Sequence, residues 1–143
     1  MNCNSNTAPL LSESSTVNCN NGCTPKDINI VCKTIVIPNG QQILGIQGEN
    51  NASKRYFLVP KVNDNGDDLS DKNFSIIIKN SNNISTTINI ESLEKLENYI
   101  KLELIIDNTI TSVSGDLSLQ IVAESNDYIW KTYPATFTIS SSL

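Results

Sequence analysis

Four cysteines and no histidine set the chemistry open to this chain. Cys3, Cys19, Cys23 and Cys32 all fall in the first quarter of its 143 residues. Cys19 and Cys23 form a C-x3-C pair around Asn20-Asn21-Gly22, a spacing that zinc sites tolerate. Four thiolates together could hold one zinc ion and fold the segment around it. Disulfides are a second alternative once the protein leaves a reducing cytosol, with three connectivities open to four cysteines. In the third reading the thiols stay unpaired, and Cys32 packs as a small apolar residue in a first strand beside Ile28 and Ile30. The residues favour this third reading for Cys32 and leave Cys3, Cys19 and Cys23 open.

The missing histidine removes the usual general base and the Ser-His and Cys-His nucleophile pairs. Acid–base work by two carboxylates needs them held across a pocket. The obvious acids, Asp64, Asp67 and Asp68, sit instead in one turn, so a non-enzymatic role is expected. That turn, Asn63-Asp64-Asn65-Gly66-Asp67-Asp68, offers oxygen ligands around a glycine, but it lacks the order of a calcium loop and its distal glutamate. Asp-Asn-Gly is also what a tight turn requires, and turn chemistry is the favoured reading.

Tyr128 and the sole tryptophan, Trp130, alternate onto one face, with Tyr133 on the other. Exposed, such rings could stack on sugars. The favoured reading puts Trp130 in the core, with Tyr99 and Phe137, as the anchor of a sandwich's inner face. A net charge of −5 with one arginine, Arg55, and no basic stripe argues against nucleic-acid binding. No apolar run approaches the roughly 20 residues of a membrane span. The start, MNCNSNTAPLLSESS, has neither the charged nor the apolar region of a secretory signal, so synthesis in the cytoplasm is expected.

The elements that must position these residues change character near Pro25. Residues 1–26 are Asn-, Ser- and Cys-rich, with no apolar pattern beyond Leu10 and Leu11. Such a segment buries too little apolar surface to offset its own ordering. It is expected to be an extended arm that docks on a partner through Cys3, Leu10, Leu11, Cys19 and Cys23. Residues 27–143 read as β throughout. Ile28 to Ile37 is β-branched, Asn39-Gly40 is a turn, and Tyr56 to Val62 is a strand in which Pro60 belongs at an edge or bulge. Alternating runs follow at Phe74 to Ile78, Ile84 to Ile90, Ile100 to Ile106, Leu117 to Ala123 and Ala135 to Ile139. Ser92 to Glu97 contains strong helix formers but is too short to nucleate a helix, and a crossover turn is expected there. Seven or so strands at this spacing predict a single immunoglobulin-like β-sandwich.

The pieces Gly48-Glu49, Tyr56 to Pro60, Asp64 to Ser70, Tyr99 to Leu102, Thr111 to Gly115 and Trp130 to Ile139 carry a resemblance. Over about Ile35 to Ile139 the chain resembles the N-terminal β-sandwich of phage baseplate upper proteins and related virion proteins of phages of low-GC Gram-positive bacteria. The resemblance implies a virion structural protein whose partners are major capsid or baseplate subunits, and a homo-oligomer where it sits on a symmetry axis. The chain stops at Leu143, whereas baseplate upper proteins continue toward a fibre, which favours a capsid-decorating or auxiliary protein. The alternatives are a baseplate or tail component and a host glycan- or receptor-binding module.

Overall fold

The computed structural model describes residues 22–143, and within them every regular element is a β-strand. The strands are β1 (Ile28–Val31), β2 (Thr34–Val36), β3 (Ile43–Ile46), β4 (Ser53–Pro60), β5 (Asn73–Lys79), β6 (Ser85–Asn89), β7 (Leu93–Lys95), β8 (Tyr99–Ile106), β9 (Gly115–Ser125), β10 (Tyr128–Lys131) and β11 (Ala135–Ser140). They form two sheets packed as a β-sandwich. The first sheet runs β2-β1-β4-β8-β7 and the second β3-β11-β9-β5-β6, with β10 paired to β9. The β1–β4 and β3–β11 pairs are parallel and the remaining ladders antiparallel. Eleven strands replace the expected seven or so because short pieces of three or four residues flank the long ones.

The period of two dictates the core. Ile100, Leu102, Leu104 and Ile106 of β8 face Ile76 and Ile78 of β5, Leu117, Leu119 and Ile121 of β9, and Phe137 and Ile139 of β11. Phe57 and Phe137 bridge the two sheets edge to face, with ring centroids 6.4 Å apart. Phe137 is fully buried, Trp130 is buried within the same cluster, and Tyr99 is only half-buried at the start of β8.

The turns follow their residues. Gly40 and Gly66 take φ of 87° and 84°, and Asn83 and Asn126 take 63° and 48° in the β5–β6 and β9–β10 connections. Two elements differ from expectation. Leu93–Lys95 is a strand, because Leu93 opposite Leu102 gives the segment a ladder partner that its helix propensity cannot match. Pro60 ends an interior strand rather than an edge one. Lys61 N–H donates to Asn98 C=O, so the nitrogen of Pro60 faces the other way, toward β1, whose ladder with β4 stops at Asn29–Leu58.

Candidate functional site

On β8 the inward residues leave Lys101 and Glu103 on the outer face of the first sheet, beside Lys54 and Tyr56 of β4. Asp27, just before β1, reaches the same face and is 2% exposed. Its carboxylate accepts Thr24 N–H at 2.8 Å and Thr24 Oγ1–H at 3.1 Å, and it pairs with Lys101 Nζ at 3.5 Å. Lys101 also donates to Gly22 C=O and lies 4.7 Å over the Tyr56 ring. Gly22 packs against Leu96, where an added Cβ would come within 3.0 Å of Leu96 Cδ2. Residues 22–26, the last part of the predicted arm, are therefore docked on the sandwich. Lys101 is the central cation of that dock.

Around this root the charges alternate. Tyr56 Oη donates to Glu103 at 3.2 Å, and Lys54 pairs with the same carboxylate at 3.5 Å. Two open hollows flank Tyr56. One, about 300 Å³, is lined by Ser92, Leu93, Glu94, Lys101 and Glu103, and the other, about 160 Å³, by Thr24, Asp27, Lys54, Arg55 and Lys101. The arrangement suits polar docking of a chain segment, since Lys54 and Lys101 are each paired with a carboxylate and the Tyr56 ring lies between the two hollows.

The cysteines correct one expectation. Cys32 is not a free thiol within a strand: it lies past the end of β1 and is disulfide-bonded, as is Cys23. Cys32 and Lys33 form a two-residue hairpin turn with φ of 52° and 67°, a conformation usually given to Asn or Gly. The Lys33 carbonyl is held by Tyr133 N–H at 2.8 Å. A disulfide sulfur is not a thiolate, so in this state neither residue offers zinc a ligand. Cys3, Leu10, Leu11 and Cys19, the other predicted arm and zinc residues, lie outside the described residues.

The acidic turn is held by the two aromatic residues of β10. Asn63 is buried, and its Oδ1 accepts the N–H groups of Asn65 and Asp67, both at 2.9 Å. Its Nδ2 donates to Tyr128 Oη at 2.7 Å, Tyr128 Oη donates to Asp67 at 3.0 Å, and Trp130 Nε1–H donates to Asp64 at 3.0 Å. Burial and the bond to Asp67 push the Tyr128 hydroxyl above its ordinary range. Carboxylate oxygens of this loop thus serve the β9–β10 hairpin. Among the described residues no three His, Cys, Asp or Glu side chains converge on a metal position. Asn63 was read only as part of the turn, and Asp27 escaped the sequence reading. The first had an Asx-turn signal, and the second had only its position before a strand.

Arg55 has a distinct role that its sequence context did not reveal. Its guanidinium donates to three carbonyls, those of Gln41, Ile43 and Lys54, and so ties β3 of the second sheet to β4 of the first. Burial lowers its pKa from the ordinary arginine value. In comparisons with known proteins, no family model matches the chain and no curated protein matches it. Among the described residues no helix is long and apolar enough to cross a membrane.

Proposed function

We propose that this chain is a non-enzymatic structural protein of a phage virion, a capsid-decorating or auxiliary sandwich docked through its N-terminal segment. The observation that carries the reading is the root at Gly22–Asp27. A buried ion pair, a capped turn and a disulfide-bonded Cys23 fix residues 22–27, which follow the first 21 residues, on the sandwich. A rigid root lowers the entropy of placing such a segment on a neighbouring subunit. The resemblance of Ile35 to Ile139 to virion sandwiches supports the same reading. So do the oxidised Cys23 and Cys32, which suit a protein that works outside a reducing cytosol.

The proposed partners are major capsid subunits, with baseplate subunits as the second location. The sugar-platform alternative has lost its best residue, since Trp130 is buried and its N–H is bonded to Asp64. The test is mass spectrometry of purified particles carrying either the full chain or a chain without residues 1–21. The full chain should be present in fixed stoichiometry, and the truncated one should stay folded yet be lost from particles. Full incorporation of the truncated chain would sink the docking role, and absence of the full chain from particles would sink the virion assignment.

A further inference from the structure

Five strands among the described residues lie at a sheet edge, β2, β7, β3, β6 and the four-residue β10, which pairs only with β9 and carries Lys131, and they are not alike. At β3 the edge is guarded, because Ile43 C=O accepts from Arg55 and Ile46 N–H donates to Glu49 at 2.7 Å. β2 and β7 have three residues each, and β7 carries Glu94 and Lys95. β6, the last strand of the second sheet, has five residues and none of these protections. From Asn80 to Ile90 the sequence NSNNISTTINI holds no charge and no proline. Edge strands in soluble proteins carry such guards because an open ladder recruits another strand.

The ladder shows which groups are open. Asn80 N–H donates to Ile84 C=O and Ile90 N–H to Phe74 C=O, with Ile76 opposite Ile88 and Ile78 opposite Thr86. Even-numbered residues of β6 therefore bond to β5. The N–H and C=O groups of Ser85, Thr87 and Asn89 point outward and meet no other backbone group among the described residues.

We infer that β6 is a self-pairing edge, joining a second copy of this chain antiparallel about a two-fold axis at Thr87. The outward residues are symmetric about that position. Thr87 faces Thr87 of the second copy and Ser85 faces Asn89, which supplies about six backbone hydrogen bonds. Each facing pair is neutral, and Thr–Thr is a favourable cross-strand pair. In a chain of net charge −5, an uncharged strip is where two copies can approach without repulsion. The same register sets Ile84, 59% exposed in the single chain, opposite Ile90 of the second copy. Beside the strand lies a hollow of about 240 Å³ whose lining is mixed, with Ile88, Ile90 and Leu104 beside the acidic Glu91, Glu103 and Asp107.

Sedimentation velocity over a concentration series, with amide hydrogen exchange on the full chain, tests this. The expected result is a reversible dimer in which the amides of Ser85, Thr87 and Asn89 become protected as concentration rises. Thr87→Pro removes an outward N–H without removing an internal bond and should weaken the dimer by at least about tenfold. Thr87→Lys sets two cations together at the axis and should do the same, while Ile46→Lys on the guarded edge should leave the dimer unchanged. A chain that stays monomeric at every concentration overturns the inference. So does a dimer with unprotected β6 amides, or one indifferent to both Thr87 substitutions.

Discussion

Lys101 is held by three different attractions, to the Asp27 carboxylate, the Gly22 carbonyl and the Tyr56 ring. Asp27 has left water almost completely, so removing its cation leaves a buried charge with only Thr24 to satisfy it. Lys101→Met should therefore lower stability by about 3 kcal/mol, read as the urea midpoint at constant m-value. Asp27→Asn added to it should restore part of that loss, because no charge then remains buried. Tyr128 makes the second residue-scale case. Its hydroxyl titrates above the unfolded value of about 10, so the native state retains the proton longer than the unfolded chain does. Its stabilising contribution is complete below that value and fades as pH rises through the folded pKa. Tyr128→Phe should lower stability near neutral pH by about 1–3 kcal/mol, since Asn63 Nδ2 and Asp67 lose a partner. It should also flatten the alkaline limb of a stability–pH curve. An unchanged limb would remove Tyr128 as its source.

At the scale of elements, β3 is the weakly held strand, four residues paired in parallel to β11 through a register shift. Arg55 supplies the missing restraint from the other sheet. Arg55→Ala leaves the carbonyls of Ile43 and Gln41 to water and opens the guarded edge. The expected effect is a loss of about 1–3 kcal/mol and faster amide exchange across Ile43–Ile46. Exchange that is unchanged there would show the clasp to be incidental. The long strands β5, β8, β9 and β11 were legible because strict alternation has only one solution when one face is buried. The β1–β2 turn was not, since Cys32-Lys33 carries none of the Gly or Asn signals of a hairpin whose φ values are positive. Leu93–Lys95 was not legible either, because its partner lies on the following strand.

For the whole molecule, the sequence by itself determined the class and the contents of the core. Apolar residues at period two, punctuated by Asn, Asp and Gly, permit only sheets that bury one face each, and they place Trp130 and Phe137 inward. The tertiary structure alone decided which polar groups meet. Asp27 finds Lys101, Asn63 finds Tyr128, and Arg55 finds the β3 carbonyls, each across a distance in sequence that no local pattern encodes. It also decided that Cys23 and Cys32 are oxidised and that β6 ends its sheet. The physical reason is the same in every case. Hydrophobic burial depends on residue type and period, which a sequence displays. Hydrogen bonds, ion pairs and disulfides depend on distances of a few ångströms between atoms that only the packed sheets bring together.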